Sequence, residues 1–502
     1  MEVEIAIQRM KTGKAAGEDM VTPEMIKVGG RVLIGKITEL FQAAWHEGRI
    51  PEDWQRNIII PLHKKGDSSK CENYRAVCLT NVIAKIYSRV LERRLREHVE
   101  PDMEEEQAGF RTGRQTQDHI FSIRTIIDKW LNRGKEVYLG FLDLHSAFDE
   151  VPREELWKAL CKKKTPPKLV RTVQSIFQKV QGIVRMDGKT SGTFDMERGI
   201  KQGDSLSPLL FIVFMDEILK TCKARTKRSM VGRWNMRPVY AQALVYADDI
   251  VLISDTENKL QTAVTEWTET LSERGMRVNM KKSQVMMVAR TEEQVKPIKI
   301  MSAGKELMQV ESYNYLGTQI HQTGKLQPEI RNRVQKATSA YFSINNIIFG
   351  KREIERKTKT RVQKAIIEPI LLYGCESWVP SKNDQSRVNA VQMKPLRRIV
   401  GKTRRDRIRN DRIREELQQE PIVKRIEDQQ LSWFGHVCRM EESRKTKQFA
   451  EARTQGRRPI GRPRSTWEEI VKEVAKKRGK SLIQLRALAS ERDEYKKWIR
   501  GN

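Results

Sequence analysis

The sequence has few cysteines and no long apolar run. None of its six cysteines forms a Cys-x-x-Cys pair, and no set of His and Cys residues has zinc-finger spacing. We therefore expect reduced thiols in an intracellular protein rather than disulfides. The longest apolar run, Pro208 to Met215, is far too short to span a membrane. The first residues lack the basic and apolar regions of a signal peptide, so none is predicted.

Positive charge is abundant. The 502 residues carry a formal net charge of +30, and 38% of them are hydrophobic, which is low for a globular chain but above the disordered range. The basic residues are spread along the chain, with dense groups in residues 397–414 and 441–480. This distribution favours nucleic acid as a partner over a membrane surface. The length predicts two to four domains or lobes.

Two adjacent acids stand between apolar segments. Tyr246–Asp249 joins residues 243–246 and 250–253, which both read as strands, so the two acids are predicted at a tight, exposed turn. Upstream, the apolar strand Val137–Leu142 ends in Asp143. Asp-Asp in a turn is usually only solvated. Three carboxylates on adjacent strand ends instead favour two Mg²⁺ ions, roughly 3.5–4 Å apart, for phosphoryl transfer.

Nine short motifs are spread over most of the chain. They are Gly13–Asp19, Ile60–Asp67, Asn73–Arg75, Gln107–Arg114, Phe141–Asp149, Gly199–Pro208, Tyr246–Asp249, Asn279–Ser283 and Tyr315–Gly317. In type and order they resemble the reverse transcriptases of non-LTR (LINE-type) retrotransposons. Each motif is weak alone, whereas nine in one order are specific.

The resemblance implies an α+β right-hand polymerase with fingers, palm and helical thumb, followed by a basic, mainly helical C-terminal extension. The implied domains are an N-terminal extension and fingers (1–136), a palm with part of the fingers inserted (137–320), a thumb (321–400) and a basic nucleic-acid-binding region (401–502). Periodicity predicts helices over residues 82–99, 154–160, 209–219 and 257–273, and a short strand over 58–62.

The implied activity is RNA-directed DNA synthesis from a primer 3′-OH. Its partners would be an RNA template, a DNA primer or target and dNTPs, with two Mg²⁺ ions as cofactors, no membrane, and a nuclear location with a cytoplasmic ribonucleoprotein stage. One alternative is a catalytically inactive or domesticated remnant that binds nucleic acid. Another is an intron-encoded maturase, against which Trp433–Met440 and Gly456–Arg464 argue. We find no endonuclease or RNase H signature, so a polymerase portion of a longer reading frame, or a degraded or domesticated copy, is expected.

The resemblance places catalysis at the acidic strand ends. It implies that Asp143, Asp248 and Asp249 are the catalytic triad and hold the metal ions, and that the Leu144 carbonyl completes a metal site. Lys282 resembles the family lysine that protonates the pyrophosphate leaving group. The neighbouring residue Lys281 competes for that role.

Further residues are candidates for dNTP binding, namely Lys64, Lys65, Arg75, Phe148, Gln202 and Gly203. The cations would grip a triphosphate, unless they only form a solvated face. The Phe148 ring would sit beneath the sugar and exclude a 2′-OH, unless it is a core residue. Gly203 would let the backbone approach a base or the template, unless it is a plain loop glycine.

Two residues depart from the family pattern. Ser146 stands where the family commonly has a lysine, so a cation near the site is lost. Asp204 stands where a cysteine is common and is expected to add a carboxylate near the template groove.

The basic tail contains two weaker signals. Gly461–Arg464 is similar to an AT-hook that binds a narrow minor groove, although a solvated linker is the alternative. His436 and Cys438 have the chemistry of metal ligands, but no further ligands lie nearby in sequence, which favours packing roles.

Overall fold

The computed structural model describes residues 1–64, 66–457, 459 and 464–501. The first third of the chain is mainly helical. Its helices are α1 (Glu2–Gln8), α2 (Pro23–Val28), α3 (Gly30–Glu47), α4 (Val82–Val99) and α5 (Thr116–Leu131). Its strands are β1 (Arg56–His63) and β2 (Tyr74–Leu79).

The middle of the chain mixes strands and helices. Its helices are α6 (Ala147–Glu150), α7 (Arg153–Lys162), α8 (Pro167–Phe177), α9 (Ser207–Arg225) and α10 (Glu257–Glu273). Its longer strands are β3 (Val137–Leu142), β4 (Gln181–Met186), β7 (Ser229–Trp234), β8 (Arg237–Ala241), β9 (Ala243–Tyr246), β10 (Asp249–Ser254), β11 (Gln284–Val288), β15 (Ser312–Tyr315) and β16 (Thr318–His321). Its two-residue strands are β5 (Lys189–Thr190), β6 (Phe194–Asp195), β12 (Met301–Ser302), β13 (Lys305–Glu306) and β14 (Met308–Gln309).

The remainder is helical within the described residues. The helices are α11 (Gln327–Ile344), α12 (Arg356–Val362), α13 (Glu368–Leu372), α14 (Lys382–Ile399), α15 (Asn410–Leu417), α16 (Ile422–Cys438), α17 (Lys445–Glu451), α18 (Trp467–Lys477), α19 (Leu482–Ser490) and α20 (Arg492–Arg500). This order of helices and strands confirms the predicted α+β class and the predicted helical C-terminal region. No described helix is both long and apolar enough to cross a membrane.

A five-stranded sheet in the order β14-β11-β3-β10-β9 carries the acidic strand ends. Every residue of β3 is buried, because helices cover both faces of the sheet. Tyr138 and Leu142 face one core, whereas Leu139 and Phe141 face the other, as the two-residue side-chain period of a strand requires. A second sheet, β2-β1-β4-β5 with β6 beside β4, lies in the predicted fingers.

Two helices have the predicted bounds, α4 and α10. The α10 helix begins after Thr256, whose hydroxyl accepts a hydrogen bond from the Lys259 amide, and the chain reaches Gly275 with a positive φ soon after its end.

A further core lies among the C-terminal helices. It runs from Leu326 to Ile426 and includes Leu396, Ile413 and Ile422. The predicted boundary between residues 400 and 401 therefore falls inside one hydrophobic core, because the same apolar cluster draws side chains from both sides of it.

Candidate active site

The two adjacent acids lie at a tight turn, as predicted. Asp249 pairs with Tyr246 across the β9–β10 hairpin, so Ala247 and Asp248 form a two-residue loop. Both acidic residues reach solvent, although protein atoms surround much of each carboxylate. Ala247 has φ of 57°, in the left-handed region that costs a residue with a Cβ roughly 1–2 kcal/mol. Other contacts must therefore hold this turn in place.

Asp143 lies across from this turn. The β3–β10 register pairs Leu142 with Ile250, and one further step places Asp143 opposite Asp249. Like charges directly opposite each other are unfavourable. Burial, followed by the charges of Asp248 and Asp143, raises the pKa of Asp249 to about 6. The pKa of Asp248 is also raised, first by burial and then by Asp143.

The acidic residues fit a divalent metal ion. The Asp143 Oδ2 atom is buried and accepts no hydrogen bond from the described residues. No group of three or more His, Cys, Asp or Glu in the described chain is arranged to hold a metal by itself. Mg²⁺ commonly takes only one or two carboxylates, with substrate phosphates and water as its other ligands. The three acids are therefore suited to metals that the substrate helps to bind.

The strand end beside Asp143 is held by the following segment. The Asn279 amide donates a hydrogen bond of 2.7 Å to the Asp143 carbonyl, and the Ser283 hydroxyl accepts one of 3.1 Å from the Asp143 amide. Leu144 is buried and forms a single bridge with Val278. The metal-binding role of the Leu144 carbonyl stays a prediction.

Lys282 lies beside the acids. It lies in the turn that precedes β11, and its Nζ is 3.6 Å from Asp143 Oδ2. Its charge also opposes the rise in the Asp248 pKa. Lys281 is exposed, and its amide donates to the Asn279 side chain. The geometry favours Lys282 over Lys281 for a role at the acids.

The predicted fingers bring one cation to the acidic turn. Arg75 lies on β2, and its charge opposes the rise in the Asp248 pKa. Lys64 is exposed after β1 and has the same effect on the pKa of Asp149. Lys65 lies outside the described residues.

Phe148 combines features of both predicted alternatives. Its half-buried ring stacks on the buried Phe211, with centroids 4.7 Å apart and an interplanar angle of 12°. The edge of Phe110, which is 45% exposed, meets it at 6.4 Å. The stacking fixes the plane of the Phe148 ring. That this ring excludes the 2′-OH of a nucleotide sugar stays a prediction.

Gly203 packs closely against β2. A Cβ at Gly203 would lie 2.8 Å from the Cys78 carbonyl oxygen, and the Cys78 amide donates to the Gln202 carbonyl at 2.7 Å. The glycine therefore admits β2, and its approach to a base or the template stays a prediction. Asp204 is misplaced in the sequence prediction, because its side chain is buried near Lys201 instead of lining a groove.

Residues 104–111, called the brace segment below, hold the acidic turn. The Ala108 amide donates to the Val245 carbonyl at 3.0 Å, and the Val245 amide donates to the Glu106 carbonyl at 2.9 Å. The Gln107 Oε1 atom accepts a hydrogen bond of 3.1 Å from the Ala247 amide. A Cβ at Gly109 would lie only 2.3 Å from the Ala247 nitrogen. This backbone therefore packs directly on the strained turn.

Sequence reasoning gave Gln107 and Gly109 no role. The Gln107 and Ala247 partners are 140 residues apart, so no local pattern links them. The sequence indicates Gln107 and Gly109 only in that both belong to the Gln107–Arg114 motif.

The tail residues considered as metal ligands are packed. His436 lies 5.2 Å from the Trp433 ring between centroids, and burial lowers its pKa. Burial raises the pKa of the Cys438 thiol to about 11, which disfavours the thiolate that binds metals. The AT-hook-like residues 461–463 lie outside the described residues.

Comparison with known proteins decides the family. The family model described as reverse transcriptase (RNA-dependent DNA polymerase) matches residues 62–320, which contain all three acids and the brace segment. The chain belongs to the reverse transcriptase family. Together with the mobile-element relatives described next, this match confirms the resemblance to retrotransposon enzymes. Members of this family generally use divalent metal ions and act on nucleic acid.

Individual relatives come from mobile elements. The chain is 24% identical over 414 residues to the RNA-directed DNA polymerase from mobile element jockey of Drosophila melanogaster, covering 80% of this chain and 43% of that protein. It is 24% identical over 413 residues to a probable RNA-directed DNA polymerase from transposon BS of the same organism, covering 80% and 44%. The chain thus spans less than half the length of these curated relatives. A telomerase structure from Candida albicans aligns with a TM-score of 0.42 at 10% identity, over 94% of this chain and 69% of that one.

Proposed function

We propose that this chain is an RNA-directed DNA polymerase that extends a primer 3′-OH with dNTPs in a right-hand fold. The observation that carries the proposal is that three carboxylates and two cations lie close together at one end of the sheet β14-β11-β3-β10-β9. Asp143 and Asp249 are opposite each other in register, Asp248 is at the turn between β9 and β10, and Lys282 and Arg75 lie close by.

Asp143, Asp248 and Asp249 would hold two Mg²⁺ ions. When bound, such ions stabilise the charge on the attacking and leaving oxygens of an in-line phosphoryl transfer. Asp143 Oδ2, which has no hydrogen-bond partner in the described chain, is a ready ligand atom. Burial and then repulsion from Asp248 and Asp143 raise the pKa of Asp249, and a cation between the acids would relieve that repulsion.

The surrounding side chains would bind and orient the nucleotide. The Arg75 guanidinium suits a phosphate because it donates two parallel hydrogen bonds, and Lys64 supplies a point charge on the same hairpin. The Lys282 ammonium, 3.6 Å from Asp143 Oδ2, would give a proton to the departing pyrophosphate. The family's extra lysine is replaced by Ser146, so Lys282 and Arg75 carry more of the local positive charge.

A second candidate function is nucleic-acid binding without turnover, which the net charge of +30 also supports. The discriminating experiment is primer extension by the purified chain on an RNA template with Mg²⁺ and dNTPs, alongside a filter-binding assay with the same template. Extension supports the polymerase. Tight binding without extension supports the non-catalytic remnant.

We also propose nuclear residence with a cytoplasmic ribonucleoprotein stage. A target DNA is nuclear, and an RNA bound after translation is first met in the cytoplasm. A fluorescently tagged chain that stays out of the nucleus throughout the cell cycle would contradict this proposal.

Phe148→Ala is expected to weaken the discrimination against rNTPs. Removing the ring opens space beneath the sugar, so the ratio of kcat/KM for dNTP over rNTP should fall by about tenfold or more. Single-nucleotide extension with each substrate measures this ratio. Phe211→Leu removes the stacking partner but keeps the Phe148 ring, so the ratio should fall less in this variant. An unchanged ratio in folded Phe148→Ala would assign Phe148 to the core alone.

Metal binding should depend on pH. Because the pKa of Asp249 is raised to about 6 in the metal-free protein, protons bind the folded state more tightly than the unfolded chain. This contribution to stability is present at low pH and is lost as pH rises from about 4 through about 6. Mg²⁺ binding to the ionised acids should then restore stability above pH 6.

Thermal unfolding with and without Mg²⁺ measures this effect. We expect Mg²⁺ to raise Tm at about pH 7.5 and to have little effect at about pH 5, with the difference lost in Asp249→Asn. An equal rise in Tm at both pH values, or in the variant, would place the bound metal elsewhere.

A further inference from the structure

The tail segment 444–447 docks beside the brace segment. Arg444 is almost fully buried, and its guanidinium lies 3.1 Å from Asp118 and 3.6 Å from Glu105. It also donates a hydrogen bond of 3.3 Å to the Gly113 carbonyl. Lys445 Nζ is 3.5 Å from Glu106. Two adjacent tail cations thus bind acids on, or directly beside, the brace segment.

The other side of the brace segment is anchored by α9. The Asp216 carboxylate accepts a hydrogen bond of 2.8 Å from the Glu104 amide. Lys223 binds Glu104 and lies 2.8 Å from Glu106. Consecutive residues 104, 105 and 106 are therefore held by side chains from α9 on one side and from the tail on the other.

The same brace residues contact the acidic turn. Glu106, which Lys445 contacts through its side chain, accepts the Val245 amide through its carbonyl. Gln107, the next residue, accepts the Ala247 amide. The residue that binds the Lys445 side chain is therefore the direct neighbour of the residue that accepts the hydrogen bond from Ala247, whose φ is strained.

We propose that Arg444 and Lys445 are positioning residues for the acidic turn, acting through the brace segment. The inference extends the proposed polymerase function, on which its kinetic test rests. It assigns to part of the basic tail a task other than gripping nucleic acid.

The burial of Arg444 favours this role over phosphate binding. Its side chain is only 8% exposed, and the Asp118 and Glu105 carboxylates already pair with its charge. A guanidinium so enclosed by carboxylates has little charge left to offer a phosphate. By contrast, Lys402, Arg404, Arg405, Arg407 and Arg409 are exposed and form no ion pair within the described chain, so they are better placed for nucleic acid.

The test uses the full chain with Arg444→Lys and Lys445→Ala combined. Arg444→Lys keeps the buried charge, but one ammonium cannot span Asp118, Glu105 and the Gly113 carbonyl. The control is Lys472→Ala, which removes an exposed cation of α18 that forms no hydrogen bond or ion pair with the brace segment in the described chain. A further variant, Lys445→Arg, keeps the contact with Glu106 and should restore wild-type behaviour at that position.

The first readout is hydrogen exchange in the peptide covering residues 243–249. We expect faster exchange of the Val245 and Ala247 amides in the double variant, wild-type exchange in Lys472→Ala, and an unchanged far-UV circular dichroism spectrum. This readout does not require activity. Unchanged exchange at residues 243–249 in the folded double variant would overturn the inference.

The second readout is the split between kcat and KM. We expect kcat to fall by about tenfold to a hundredfold, with template affinity and the KM for dNTP nearly unchanged. Weaker template binding with an unchanged kcat at saturation would instead make Arg444 and Lys445 phosphate contacts and overturn the inference. If the wild-type chain shows no extension, the proposed function fails, and the exchange readout alone decides the inference.

Discussion

Asp248→Asn should abolish primer extension while leaving RNA affinity nearly unchanged. The substitution keeps the size of the side chain but removes the charge that a Mg²⁺ ion needs. The loss of several kcal/mol of transition-state stabilisation corresponds to about 10³-fold or more in rate. RNA affinity should persist because it comes from cations elsewhere on the surface. Asp143→Asn should behave in the same way.

The measurement is single-turnover extension on a saturating RNA template, with filter binding of the same RNA. Glu257→Gln, which neutralises an acid at the start of helix α10 beside the same sheet, is the matched control and should retain activity. A variant of either acid that keeps about a tenth of the wild-type rate would refute the assignment of that residue as a metal ligand.

Gly109→Ala should also cause a large loss of activity. The new Cβ would lie 2.3 Å from the Ala247 nitrogen, which is backbone and cannot move aside as a flexible side chain would. The acidic turn must therefore shift, and a displacement of about 1 Å costs about a hundredfold in rate. The overpacking should also lower the free energy of unfolding by about 1–3 kcal/mol.

Chemical denaturation and single-turnover extension test this expectation. Gly35→Ala makes the same chemical change inside helix α3, where no atom lies within 4 Å of the added Cβ. We expect that control to keep full activity and to gain about 0.5–1 kcal/mol of stability. Wild-type activity in Gly109→Ala would show that the brace segment does not constrain the turn.

The sequence predicts those parts of this site that depend on local pattern. Helices α4 and α10 have the predicted bounds, because apolar residues repeat at helical spacing between identifiable ends. The exposed Asp248–Asp249 turn follows from two apolar strands of four or more residues around two acids. The order of nine motifs predicts the family, since each motif alone is weak but their common order is not.

Contacts between distant residues are not predicted. A Cβ at Gly203 would clash with the Cys78 carbonyl of β2, and nothing near Gly203 in sequence indicates this contact. The bond from Ala247 to Gln107 and the ion pair from Lys445 to Glu106 each join segments more than a hundred residues apart. The basic composition of the tail likewise predicts a nucleic-acid grip, but composition does not reveal that Arg444 is buried against acids.

Templated synthesis is the most direct test of the central claim. A labelled primer annealed to an RNA of known sequence is incubated with the purified chain, Mg²⁺ and three of the four dNTPs. We expect extension to stop one position before the first template base that needs the missing nucleotide, and to resume when that dNTP is added. No extension, or nucleotide addition that ignores the template, would contradict the assignment of RNA-directed DNA synthesis to this chain.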